Sequence, residues 1–446
     1  MRTTGMPSSW RSLGGWIWLP LLLLDLLLLL KLRSAPVILG GCIGLAGLTW
    51  LLRRGERAVA FAAAGLPLID PLLLELGSEA PAFLLGRLLL LIPLLLVGLG
   101  AFWALAEPGS RARGGLWREP IVAISVALAL VLAAGLADTP SPEYGRGKLI
   151  AYLLVNVNLL LATAVVIRRS GHDAGDLARR FATAMLVCEL LIAIAGVHNY
   201  FTSYYPWKFR LVSLGMNPIW VGRHAGQGLL ILFLMRAQGW IPRWQAVAGT
   251  LLLGFVFWVS GSRGVLVALL AALAGHWVLL GGRRRALIAI PAILGVAALV
   301  LVLTVTVGVN SDSNPFLGRG ASNLARAQLI ATALRSVGEV GFLGVGTGGF
   351  SWLARVGDLR YYPHNILIEI GLENGIPGLL LLIGFLFAVI AAWRRARQRP
   401  ELVPIARLAF ALWLFHLANA QASGDIGAND GIWLWAGVLL ALSRSR

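Results

Sequence analysis

The chain has 446 residues, of which 58% are hydrophobic and 13% charged, with a mean hydropathy of +0.80. A water-soluble chain of this length needs about a quarter of its residues charged to cover its surface, so a soluble globular protein is excluded. The formal charge of +18 does not point to nucleic acid, because the basic residues sit in short clusters between apolar segments, as the positive-inside rule requires of a membrane protein.

Apolar segments fall at 16–30, 36–52, 58–76, 83–106, 120–137, 149–167, 181–198, 217–235, 245–260, 264–280, 286–309, 365–392, 404–420 and 431–443. Roughly 20 apolar residues cross a bilayer as a helix, and the runs are apolar all round rather than alternating as a barrel strand would. The expected fold is therefore an all-α integral membrane bundle of about 12–14 spans. Arg2 and Arg11 precede the first apolar run without a clear small-residue cleavage site, so that run reads as a span rather than a removed signal. Cys42 and Cys188 fall inside apolar segments, where they act as small hydrophobes. Asp25 and Asp70, in or beside apolar runs, fit either proton-relay roles or polar packing.

Loop charge fixes an orientation. With the N-terminus in the cytoplasm, the clusters Arg53/Arg54/Arg57, Arg111/Arg113/Arg118, Arg168/Arg169/Arg179/Arg180, Arg236/Arg243, Arg283/Arg284/Arg285 and Arg394/Arg395/Arg397/Arg399 all lie inside. The C-terminal Arg444 and Arg446 join them. Segments 138–148, 199–216, 261–264 and 310–363 then face outward, still carrying cations such as Arg146, Lys148, Arg335, Arg355 and Arg360. A loop as long as 310–363 is usually functional or disordered, and its sequence argues for order. It predicts a short helix capped by Asn323, running through Leu334 and stopped by Gly338, able to lie at the membrane interface. A glycine-rich turn follows at Gly341–Phe350. The chain divides accordingly into N-terminal helices (1–244), a core with the long outer loop (245–395) and C-terminal helices (396–446).

Several outward residues are suited to chemistry. His364, in Tyr361-Tyr362-Pro363-His364-Asn365, stands where the long loop re-enters the membrane. It fits an interfacial helix cap or, since imidazole titrates near neutrality, a general base. Arg263 occupies the tight turn Ser260-Gly261-Ser262-Arg263-Gly264. There its planar fork would meet a lipid phosphate, or snorkel to ordinary headgroups. Arg223 and His224 lie inside an apolar stretch, where a charge is functional by default unless it snorkels out. Arg319 and Arg326, seven residues apart, would share a face if the segment is helical. Glu369 and Glu373 follow His364 and suit either orienting its ring or packing against a neighbouring helix. No nucleotide-binding loop and no outer Asp-x-Asp or paired-histidine metal motif is present, so neither a cofactor nor a metal is expected.

Four segments in fixed order resemble the O-antigen ligase family, which shares a domain with Wzy-type O-antigen polymerases. They are Gly261-Ser-Arg263-Gly264, Arg326 leading into Ala-Gln-Leu-Ile-Ala-Thr-Ala-Leu, Gly344-Val-Gly-Thr-Gly-Gly-Phe350, and Pro363-His364-Asn365 continuing to Gly378. The family often has an aromatic after the loop arginine where this chain has Leu329-Ile330, which leaves Arg319 and Arg326 as alternatives for that position. Pro377 is expected only to bend the re-entering helix. The resemblance implies a metal-independent inverting glycosyltransferase of the bacterial inner membrane. Its site would be periplasmic, its donor O-antigen on undecaprenyl pyrophosphate and its acceptor lipid A–core, among membrane lipids and without nucleic acid. It further implies His364 as base and Arg263 and Arg326 on the pyrophosphate, with Arg319, Arg223 and Arg210 behind them. A polymerase, a protein-directed oligosaccharyltransferase and a lipid or polysaccharide transporter stay open.

Overall fold

A computed structural model describes residues 118–168, 174–202, 216–281 and 320–444, with Leu116 and Leu211. The expected spans before residue 107 and at 286–309, with Asp25, Asp70, Arg210 and Arg319, lie outside the described residues. Every regular element described is helical.

In chain order these are α1 (Pro120–Ala134), α2 (Pro142–Arg168), α3 (Ala174–Thr202), α4 (Pro218–Ala237), α5 (Arg243–Ser260) and α6 (Arg263–Gly281). After them come α7 (Gly320–Ser336), the single turn α8 (Phe350–Leu353), α9 (Ile366–Glu373), α10 (Gly375–Ala396), α11 (Val403–Ala420) and α12 (Gly431–Arg444). Among the described residues, 4 helices are long and apolar enough to cross a membrane: Pro142–Arg168, Ala174–Thr202, Gly375–Ala396 and Pro400–Ala420. Pro120–Ala134, Arg263–Val278 and Gly431–Arg444 are shorter apolar helices.

The last helix is the centre of the bundle. Residues Gly431 to Leu442 of α12 are all buried, and the helix packs against α2, α10 and α11. A Cβ on Gly437 would come 2.5 Å from the Leu160 carbonyl oxygen, so the α2–α12 contact depends on the absence of a side chain there. Trp413, Trp433 and Trp435 fill the remaining space, with the Trp433 ring edge-on to Tyr152 at 5.4 Å and stacked on Phe385 at 5.5 Å. Such packing, not hydrophobicity, must hold helices together in lipid, because acyl chains are as apolar as leucine. Away from the core, α10 leaves Ile376, Leu380, Ile383 and Phe387 exposed, spaced to form a stripe along one face.

The two ends of the bundle differ in charge. At one end, the buried Glu119 before α1 is met by Arg444 of α12 and by Arg395 of α10 at 3.6 Å. Arg179 lies over the Trp240 ring at the same end. The α1–α2 turn, the α11–α12 turn and the segment 337–365 gather at the opposite end.

Two expectations about this opposite end need correction. α7 begins at Gly320 and runs through Asn323, so Asn323 lies within the helix and does not cap it. The re-entering helix is two helices meeting at Asn374, and Pro377 lies in the first turn of the second, where its missing N–H is no loss. Gly375 enforces that break. Its φ is +62°, and a Cβ there would fall 2.0 Å from the Phe342 carbonyl oxygen, so only glycine fits.

Candidate active site

The glycine-rich turn is the floor of the site end. Val345 and Gly346 donate from their backbone N–H groups to the Leu372 and Glu373 carbonyls, and Thr347 N–H to Gly135. Thr347 Oγ1 donates to the Leu132 carbonyl at 2.8 Å and accepts from Asn374 Nδ2 at 2.8 Å. Ser141 and Ser351 hydroxyls meet at 2.7 Å. The backbones come so close that a Cβ on Gly145 would lie 2.3 Å from the Thr347 carbonyl oxygen. The turn thus clamps α1, the start of α2 and the α9–α10 break into one unit. α7 rests on that unit through Leu329 and Ala333, which pack with Phe350 and Leu372.

Inside the clamp lies a buried ion-pair triad. Lys148 Nζ of α2 is 2.8 Å from Glu369 Oε1 and 2.6 Å from Glu373 Oε2, with all three side chains at 0% exposure. Gly348 N–H donates to Glu373 Oε2 at 2.9 Å and Ile426 N–H to Glu369 Oε1 at 3.2 Å. Of the two uses open to Glu369 and Glu373, the structure shows packing against a neighbouring helix. The triad ties α2 to α9, the helix that starts immediately after His364.

The His364 backbone is held in an unusual state. Pro363 is buried, His364 has φ +58°, and Asn365 then caps α9 by accepting from Leu367 and Ile368 N–H at 3.1 Å each. A non-glycine residue in the left-handed region is strained by about 1–3 kcal/mol and persists where surroundings dictate it, which happens most at functional sites. The half-buried imidazole packs edge-on against Tyr362, ring centroids 4.6 Å apart.

Tyr362 leads to the cations. Burial and the Asp425 carboxylate raise its phenol above the usual range, while the Arg360 and Arg223 guanidinium groups oppose the rise. Arg223 is buried in the first turns of α4, its Nη2 donating to the Ser423 carbonyl at 2.6 Å and its guanidinium 4.8 Å from the Trp220 ring centroid. Arg263 opens α6 at the same corner. Gly222, beside Arg223, lies against Ser262, and Gly264 against Ala422, the neighbour of Ser423. The start of α6, which carries Arg263, therefore lies beside the first turn of α4, which carries Arg223.

The α11–α12 turn supplies the counter-charges. Asp425 Oδ2 accepts from the Tyr144 hydroxyl at 3.0 Å and pairs with Arg360 Nε at 3.3 Å, and Oδ1 accepts Ala428 N–H at 2.9 Å. Burial alone would raise Asp425, but Arg360, Lys148 and the tyrosine hydroxyl outweigh it and hold the carboxylate below its usual range. The Asp425 charge in turn holds Arg360 firmly protonated. Asp430 is pushed up to about 6 by burial, against the pull of Gly431 N–H and Arg223. Next to Arg223, in the bundle interior, His224 Nδ1 meets Glu189 at 2.7 Å and Gln227 Nε2 meets the same carboxylate at 2.5 Å.

Arg326 lies on α7, whose backbone crosses this end; Arg210 and Arg319 lie outside the described residues. Sequence reasoning missed Lys148, Tyr144, Tyr362, Asp425 and Asp430 as site residues and treated Arg360 only as a loop charge. Asp425 and Asp430 carried a usable signal, two acids in a ten-residue turn between apolar helices. Among the described residues, no group of three or more His, Cys, Asp or Glu is arranged to hold a metal ion.

Comparison with known proteins places chemistry beside this geometry. Residues 248–383 match the family model described as O-antigen ligase. The match takes in Arg263, Arg326, Arg360, Tyr362, His364, Glu369 and Glu373, while Tyr144, Lys148, Arg223, Asp425 and Asp430 lie outside it. No curated protein matches the chain.

Proposed function

We propose, from the O-antigen ligase-family domain at residues 248–383 and the cluster around His364, that this chain is an O-antigen ligase of the bacterial inner membrane. It moves polysaccharide from undecaprenyl pyrophosphate to a hydroxyl of lipid A–core on the periplasmic side. The observation that carries this reading is a left-handed His364 packed on Tyr362, a residue whose hydroxyl is within electrostatic reach of Arg360 and Arg223. It amounts to a base next to an anion site, at the end of the bundle away from the arginine-rich loops.

In this mechanism the acceptor hydroxyl oxygen attacks the anomeric carbon of the donor from the face opposite the pyrophosphate. The new carbon–oxygen bond forms as the bond to the pyrophosphate oxygen breaks, and the configuration inverts. His364 takes the hydroxyl proton and later gives it to water. Arg263 and Arg223 bind the pyrophosphate and stabilise the charge that grows on it, with Arg326 and Arg319 as further candidates for the same role. Arg210 is a further donor contact. The undecaprenyl pyrophosphate is itself the leaving group, so no nucleotide is consumed. The polyprenyl tail would lie along the lipid-facing helices.

A second reading keeps the same chemistry with another acceptor, a lipid-linked chain, and makes the protein a polymerase. The family domain is shared between the two activities, which is why the acceptor has to be measured. The test is purified full-length protein with a chelator, undecaprenyl-pyrophosphate-linked O-antigen and rough lipopolysaccharide. Transfer to lipid A–core by wild type and not by His364→Ala supports the ligase. Longer lipid-linked chains instead favour the polymerase. No covalent product refutes both and revives a transporter.

A further inference from the structure

Residues 358–364 join α8 to α9 without regular secondary structure, bending at 358–360 and again at His364. Leu359 and Tyr361 are exposed, at 63% and 37%. The even-numbered positions are all engaged with the body of the protein. Asp358 accepts Glu143 N–H at 2.8 Å and Tyr144 N–H at 3.0 Å, and so caps the start of α2. Arg360 pairs with Asp425, Tyr362 stands near Arg223, and Tyr362 packs on His364.

Arg360 differs from its neighbours in one respect. Its Nε faces the nearly buried Asp425 at 3.3 Å, yet the side chain is 54% exposed. Asp425 is fixed from behind by the Tyr144 hydroxyl and Ala428 N–H. A guanidinium has five donors in one plane. Anchoring through Nε leaves the terminal nitrogens as a fork with a fixed direction, suited to two oxygens of a phosphate. A salt bridge at the surface adds little stability by itself, so structure alone gives a weak reason for an acid as buried as Asp425 to be spent on a half-exposed arginine.

The geometry points to Arg360 as a further donor-binding residue, a pyrophosphate contact aimed by Asp425. It rests on the transferase reading above for its reaction. Its ligand chemistry, a diphosphate ester, can be tested separately.

The experiment uses the full chain in nanodiscs, with Arg360→Gln and Arg360→Lys beside wild type. Transfer is measured against donor at saturating acceptor and against acceptor at saturating donor. Direct binding of undecaprenyl pyrophosphate, with undecaprenol as the uncharged control, is measured in the same discs without acceptor. Losing one charge-assisted contact should raise the donor KM and the lipid Kd of Arg360→Gln about tenfold, with the acceptor KM unchanged and undecaprenol binding unaffected. Arg360→Lys keeps a charge beside Asp425 and should fold normally. Lacking the fork, it should still bind the diphosphate about threefold more weakly. Lowered thermal stability with unchanged donor KM and lipid Kd in both variants would reduce the contact to a structural ion pair and overturn the inference. Absent transfer by wild type, together with Arg360-dependent diphosphate binding, would refute the proposed reaction and leave this contact standing. Failure of wild type to prefer undecaprenyl pyrophosphate over undecaprenol would overturn it.

Discussion

Lys148→Met is the sharpest perturbation that the fold offers. Methionine matches the lysine stem in length and leaves Glu369 and Glu373 facing each other at 0% exposure with only the Gly348 and Ile426 N–H groups as donors. Removing one partner of a buried ion pair leaves an uncompensated charge and typically destabilises by about 3–5 kcal/mol. Two carboxylates share this one cation, so the upper half of that range is expected. The loss falls on the junction of α2, α9 and α10, and so also on the His364 backbone that α9 follows. The assay is thermal inactivation of purified protein in detergent, followed by the loss of monodisperse species at fixed heating rate. Lys148→Met should lose most of its folded half-life, and the triple variant with Glu369→Gln and Glu373→Gln should regain at least part of it. Wild-type stability in the single variant would refute the claim that the triad holds this junction. No recovery in the triple variant would show that lost packing, and not unpaired charge, is responsible.

Gly375→Ala should fail to fold or lose more than about 3 kcal/mol, because its Cβ would sit 2.0 Å from a carbonyl oxygen at a φ of +62°; expression as a monodisperse species checks this. His364→Gly should abolish transfer as fully as His364→Ala yet be the more stable of the two by about 1 kcal/mol, since glycine relieves the left-handed strain; paired melting curves decide it. Asp430, raised from 3.8 to about 6, contributes stability that is complete below about pH 4 and lost as pH rises through 6. Wild type should therefore lose about 2 kcal/mol relative to Asp430→Asn between about pH 4.5 and 7, read from melting temperatures at those two values. Arg223→Lys should weaken donor binding by about tenfold, because lysine cannot span the Ser423 carbonyl and a phosphate at once.

Membrane class and the helical segments were legible in the sequence, because each is set by local composition. A run of leucine and alanine is helical in lipid whatever surrounds it, and arginine clusters sort the loops without any tertiary information. His364 stood out for a similar reason, as a titratable residue at a proline-marked re-entry point, and its proposed role as base awaits the transfer assay. Arg223 stood out as a cation in an apolar stretch, and the structure buries it there.

What the sequence left undecided were the choices between partners far apart in the chain. Lys148 reads as one more outer-loop cation until α9 is folded against α2, more than two hundred residues later, and gives it Glu369 and Glu373. The break at Asn374 does not show in hydropathy, since 365–392 reads as one apolar segment; at the break the Phe342 carbonyl occupies the space beside Gly375. Asn323 looks like a cap by type, yet α7 starts three residues earlier. Asp425 acquires meaning only from Tyr144 and Arg360, which reach its Oδ2 from two distant parts of the chain. Composition sets how each segment partitions between water and lipid, and a single segment suffices to show it. Charge pairing and close backbone contact are decided between segments, and only the tertiary structure brings those segments together.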